Sequence, residues 1–176
     1  KRAPQQISTA AEQKRYFTSP GIRLLGAEQI LDAISTATSI PELFEGYPLG
    51  TTAVSLAEGN VNHRFLKAFT RPIRDVACDC ARDTDPTLNQ VIHLLNNPNL
   101  LDKIDSPKSR LSRWLAADLP TQQLIENIYL GSLSRYPTRQ ESRLVIQHLR
   151  EIGDRTEAFR DLQHALFNAN EFLLRH

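Results

Sequence analysis

The chain has no methionine, only two cysteines, no surplus of either charge, and no apolar run near the roughly 20 residues of a membrane helix. Each shortage excludes something. Without methionine, the His/Met axial pair of ordinary c-type cytochromes is unavailable. Covalent haem attachment is excluded too, since no Cys-x-x-Cys-His occurs. Two cysteines allow at most one internal disulfide, and alone they do not complete a four-ligand structural zinc site. The 21 basic and 20 acidic residues leave a net charge of +1, so no clustered positive surface for nucleic acid is expected. No signal peptide is visible. A chain that opens at Lys1 without methionine is expected to be a processed product or a piece of a larger polypeptide.

Hydrolytic signatures are missing as well. Ser55, Ser106, Ser109 and Ser134 lack a nucleophile-elbow context. Glu42 and Glu45 form a carboxylate pair on paper, but nothing places them around a glycosidic bond. Asp83 and Asp85 hint at calcium, yet an EF-hand needs more oxygen ligands in a set order and an internal glycine.

What is present is ordinary globular material: 40% hydrophobic and 23% charged residues, enough for a core. Residues 1–26 read as an N-terminal arm, polar to Gln13 and anchored by Tyr16, Phe17, Ile22, Leu24 and Leu25. Residues 27–176 read as a single helical domain. Ala27, Ile30, Leu31 and Ile34 follow the spacing of one buried helix face, predicting a helix over 27–38 that Pro41 stops. Residues 39–60 form a long connection rich in glycine and proline, with a possible extended run from Thr51 to Leu56. Val61, Phe65, Leu66 and Phe69 mark a short helix over 60–69.

Pro86 opens a helix over 86–96 with Leu88, Val91, Ile92 and Leu95 inward. Leu100, Leu101 and Ile104 mark a short turn of helix. Leu111, Trp114 and Leu115 mark another near 108–117, with Trp114 in the core. Leu124, Ile125, Ile128, Tyr129 and Leu133 predict a helix over 120–134. Thr138 and Glu141 have capping-box spacing ahead of a helix over 139–152, with Leu144, Val145, Leu149 and Ile152 facing the core and Gly153 as its stop. Asp154 caps a last helix over 155–168, striped by Ala158, Leu162, Ala165 and Leu166. The fold class is therefore all-α: an irregular bundle of about six to eight helices with a long loop and an extended arm.

The chemically densest stretch is Arg71 to Arg82, which holds Cys78 and Cys80 among arginines and aspartates. As thiolates the pair could ligate zinc or iron, with His63 and His93 the nearest histidines in sequence. Cys78, Cys80 and His93 are the metal candidates. A Cys78–Cys80 disulfide would close a small, strained ring that is easily reduced. Packing as free thiols is the third option and the commonest. Arg71, Arg74, Asp79 and Arg82 read either as an anion or partner site using guanidinium forks, or as a salt-bridge network fixing the loop; the second is preferred. Cys78 and Cys80 are assigned a structural role on this basis. Two of His63, His93, His148, His164 and His176 could ligate a non-covalent haem, but solvent-facing or capping roles account for them more simply.

Several segments together resemble a known family. They are Tyr16 to Pro20 with Arg23 to Ile34, Phe44 to Thr51, Phe65 to Pro72, Cys78 to Arg82, Pro86 to Leu88, His93 to Asn96, Tyr129 to Thr138 and Leu166 to Phe172. In order, over residues 14–176, the chain resembles a C-terminal domain of unknown function from large planctomycete-type bacterial envelope proteins, often accompanied by cytochrome c-like domains. Gly26, Ala81 and Asn97 depart from that pattern, where a capping serine, a glutamate and a helix-ending glycine are expected. The resemblance implies a bacterial periplasm or envelope setting and haem-protein neighbours, and no known reaction. It leads to a non-catalytic interaction or scaffold domain, an accessory or C-terminal module of an envelope electron-transfer assembly. Its arm and the 39–60 loop would meet protein partners, such as c-type cytochrome domains or a membrane electron-transfer complex. No cofactor is expected on this chain; haem would sit on a partner or a preceding domain. Two alternatives stand beside this reading: a metal- or thiol-dependent redox module using Cys78 and Cys80, and a carbohydrate- or cell-surface-binding module.

Overall fold

The computed structural model describes residues 23–56, 63, 65, 66 and 98–175. Among them the architecture is all-α, as the periodicity predicts. Helix α1 spans Ala27–Thr38, α2 Pro98–Asp105, α3 Arg110–Ala116, α4 Thr121–Leu133, α5 Arg139–Ile152, α6 Arg155–Phe167 and α7 Asn170–Leu173. The predicted helix over 86–96 and the cysteine loop lie outside the described residues. So does most of the 60–69 helix, of which Phe65 and Leu66 are described, both helical and buried.

One pairing was not expected. Strand β1, Arg23–Leu24, runs antiparallel to β2, Leu174–Arg175, with Leu24 opposite Leu174. The Leu25 N–H extends the ladder by donating to Leu173 O at 2.8 Å. Two residues are too few for a period-2 signal, so sequence patterning does not reveal such a pair. It ties the entry to α1 to the exit of α7.

Helix α6 occupies the centre and packs against α2, α3, α4 and α5. Phe159 and Phe167 on it are fully buried, and Phe172 of α7 packs on Phe167 with ring centroids 5.0 Å apart. Burying an aromatic side chain of this size stabilises by about 2–3 kcal/mol, so these rings are a major part of the core energetics. The expected α6 stripe omitted both phenylalanines and included Ala165, which is exposed. A central helix touches neighbours on several sides, so its buried surface is wider than one stripe.

Helix α5 shows the opposite correction. Val145 is buried and Leu149 packs on the core, but Leu144 and Ile152 are 58% and 38% exposed. This helix lies on the outside, against α6 and α4, and buries a narrow face. Leu144 sits about 100° around the helix from Val145. Ile152 has the right phase but falls at the last turn, beside an exposed Gly153–Asp154 corner. Trp114 is half-buried rather than central, with the Arg110 guanidinium 6.0 Å from its ring.

The helix ends follow from their capping chemistry. Thr138 Oγ1 accepts from Glu141 N–H at 3.2 Å while Glu141 Oε2 accepts from Thr138 N–H at 2.7 Å, completing the predicted capping box. Asp154 accepts from the N–H groups of Thr156 and Glu157. At α1, Gly26 offers no side chain, so only the Gln29 half of such a box forms, at 2.9 Å. Gly153 closes α5 at φ +75°. A Cβ there would strain the left-handed backbone while meeting no neighbouring atom, so the cost is purely conformational. Gly153→Ala is expected to lower unfolding stability by about 1 kcal/mol in urea titrations.

Candidate functional site

Helices α1 and α2 and the 39–56 segment enclose the most chemically varied part of the described structure. The 39–56 segment is anchored from both sides. Phe44, Ala53 and Leu56 are buried in the core. Asp32 of α1 accepts from the N–H of Ala53 at 2.6 Å and of Val54 at 3.0 Å. These bonds cap a 3-10 turn over Ala53–Ser55, where an extended run had been entertained. A carboxylate aimed at two successive N–H groups favours a helical turn over a strand, because a strand points alternate N–H groups apart.

Beneath this segment, Glu42, His63 and Lys103 meet. His63 Nε2 lies 3.1 Å from Glu42 Oε1. Lys103 Nζ donates to Ser35 Oγ at 2.9 Å and to Ile40 O at 2.8 Å. It also sits 2.9 Å from Glu42 Oε2, an ion pair whose angles are too oblique for a directed hydrogen bond. The Lys103 and Glu42 side chains are only 8% and 13% exposed. Burial alone would push the Glu42 carboxyl upward. The contacts from His63 and Lys103 outweigh it and hold the carboxyl below its ordinary value. Phe44 covers the imidazole at 5.4 Å. Among the described residues His63 Nδ1 has no hydrogen-bond partner; it is buried beside a cavity of about 10 Å³, the size of one water.

This trio is a latch rather than a reaction centre. The carboxylate faces two nitrogen groups that hold its proton affinity below the ordinary value, so it is a poor general base. The Lys103 ammonium is held by three oxygens, Ser35 Oγ, Ile40 O and Glu42 Oε2, so its donors are spent inside the fold. What the trio does is fasten the 39–44 turn, the residue 63 segment and α2 to one another.

A groove of about 350 Å³ opens on the other side of Glu42, between α1, the 50–52 backbone and Arg110 of α3. A third charged centre lies where α4, α5 and α7 meet. Arg135, just past α4, forks onto Glu141 at 2.7 and 3.0 Å and onto Glu171 at 2.6 and 2.7 Å. Its guanidinium also stands 5.4 Å from the Tyr129 ring. The Arg135 fork, partly opposed by burial, draws Glu141 down to about 2. The two carboxylates hold Arg135 more firmly protonated than usual.

The sequence-derived metal candidates Cys78, Cys80 and His93, and the loop-fixing set Arg71, Arg74, Asp79 and Arg82, lie outside the described residues. His63 is engaged by Glu42, and His148 Nε2 meets Asp161 at 3.0 Å on the surface. Among the described residues no group of three or more His, Cys, Asp and Glu converges to hold a metal ion, and no helix is long and apolar enough to cross a membrane. Glu42 and Glu45 do not act as a pair: Glu45 is exposed while Glu42 turns inward. Lys103 and Arg110 carried no signal in the sequence, because each finds its partners through long-range packing.

Residues 1–149 match the model of the PSD1 family, described as protein of unknown function (DUF1553). The chain belongs to this family. No curated protein and no solved structure matches it. The resemblance to a domain of unknown function is thereby placed in DUF1553. The match begins at Lys1, ahead of the expected residue 14, and stops before the Leu166–Phe172 segment. Two stretches that carried the resemblance, Tyr129–Thr138 and Leu166–Phe172, meet in space in this DUF1553 chain through the Arg135–Glu171 fork and the packing of α4, α6 and α7.

Proposed function

We propose that this DUF1553 chain is a non-catalytic helical interaction domain, serving as an accessory or C-terminal module of a bacterial envelope electron-transfer assembly. It carries no cofactor; haem resides on a partner or a preceding domain, in the periplasm or envelope. The observation behind the interaction role is the 39–56 segment. Leu43, Leu49 and Val54 are 72%, 72% and 50% exposed there, while Phe44, Ala53 and Leu56 of the same segment are buried anchors. Apolar side chains held in water on a fixed loop favour a protein partner over solvent. Ion-paired charge clusters such as Glu42–His63–Lys103 are consistent with a non-catalytic role. The electron-transfer setting rests on the family resemblance.

The test is co-purification of the full-length host protein, read as haem absorbance eluting with it. Haem is expected to co-elute. The Leu43→Ser, Leu49→Ser, Val54→Ser triple variant is expected to lose at least about tenfold of it while melting like the native protein. Haem-free elution of the native protein, or unchanged co-elution of the variant, would overturn the proposal.

A further inference from the structure

The groove beside Glu42 contains three charged side chains, and their partners differ. Both oxygens of Asp32 accept backbone N–H groups. Glu42 is ion-paired beneath the groove. Arg110 has no carboxylate partner among the described residues. Its Nε donates to Ser39 Oγ at 3.0 Å, and its two Nη groups make no hydrogen bond to any described residue. Ser39 ends α1 in the left-handed conformation at φ 59°, which brings its hydroxyl to Nε and fixes the fork. The guanidinium is flanked by the Trp114 ring and by Gly131 of α4, where a Cβ would lie 3.5 Å from Nη1. A guanidinium held at Nε, packed beside Gly131 and lining the groove with no carboxylate partner among the described residues, is prepared for an oxyanion.

The remaining lining names the rest of the ligand. Thr36 Oγ1 donates to Asp32 O and Thr51 Oγ1 donates to Pro48 O, both at 2.8 Å. With their protons committed inward, these hydroxyls face a ligand as acceptors. Thr52 Oγ1 makes no hydrogen bond to any described residue and can both donate and accept. Acceptors lining one groove call for a ligand rich in O–H donors. At about 350 Å³, the groove suits a molecule the size of a single sugar or sugar acid.

We infer that this groove is a binding site for a small polyhydroxylated carboxylate, with Arg110 holding the carboxylate and Thr36, Thr51 and Thr52 accepting from its hydroxyls. The groove shares the 39–56 segment with the exposed Leu43, Leu49 and Val54, but none of those three lines it. Its chemistry is shared by open-chain aldonates and ring uronates, which titration calorimetry at low ionic strength separates with D-gluconate and D-glucuronate. At least one is expected to bind, and at least about tenfold more tightly than D-glucose or acetate, which each carry half of the recognition. Arg110→Gln should weaken that binding at least about tenfold. Arg110→Lys, which keeps the charge but not the fork, should weaken it by about threefold or more. Arg113→Gln, an exposed change on the same helix, should leave it intact. Thr52→Val supplies a test that spares the Arg110 packing: it should weaken gluconate or glucuronate and leave acetate unchanged. Absence of binding by both sugar acids, equal binding of glucose, or full affinity in folded Arg110→Gln would overturn the inference.

Discussion

Lys103→Met should lower unfolding stability by about 3 kcal/mol, measured by urea denaturation at neutral pH. The replacement nearly conserves length and apolar stem, so little of the loss comes from packing. The loss comes from Glu42, whose side chain is 13% exposed and would keep only His63 as a partner. A carboxylate left in that position is desolvated without an adequate counter-charge. Ser35 Oγ and Ile40 O would lose their donor at the same time. Adding Glu42→Leu to Lys103→Met should restore much of the stability, because removing both charges removes the desolvation cost that one alone incurs. The pH dependence has a defined sign. Glu42 titrates below its ordinary value in the folded state, so its stabilising contribution is present above that ordinary value. It is lost as pH falls through the depressed folded value. Additive losses in the double variant would show that the pair is not coupled.

Arg135→Met should cost about 2 kcal/mol and flatten the acid limb of the stability curve. Four short contacts join one guanidinium to Glu141 in the capping box of α5 and to Glu171 in α7, so one side chain holds three helix termini together. The pair is partly exposed, with Arg135 at 34%, which keeps the estimate below that for a fully buried ion pair. Glu141 moves from 4.5 to about 2, first through the Arg135 fork. Its folded value is the lower one, so the stabilisation is complete above 4.5 and disappears as pH falls toward about 2. Urea midpoints across that window should drop steeply in the native chain and only shallowly in Arg135→Met. Parallel curves would mean the fork contributes no proton-linked stability.

The legible parts of this protein were those governed by neighbours in sequence. The bounds of α1 and α5 followed from apolar spacing, from Pro41, and from the Thr138/Glu141 box. The inward faces of α1 and α4 were read correctly because each presents one periodic stripe to one side of the core. The same rule failed on α6 and α5 for opposite reasons: α6 is surrounded and buries Phe159 and Phe167 off the stripe, while α5 is peripheral and leaves Leu144 in solvent. Periodicity reports which residues share a face, and packing decides how wide a face is covered.

The candidate sites divide along the same line. Arg71–Arg82 stands out in the sequence because its charges and thiols are crowded together. Glu42, His63 and Lys103 are scattered along the chain and come together only in the fold. Arg110 looked like any surface arginine until Ser39 and Gly131 were brought beside it.

By itself, the sequence determined the helical class and the bounds of α1 and α5, since these depend on local spacing and on the residues that start and stop a helix. Only the tertiary structure decided that Lys103 is clamped while Arg110 is left open. Whether a charge is spent inside the fold or offered outside depends on which distant oxygens reach it, and that is set by how the helices pack.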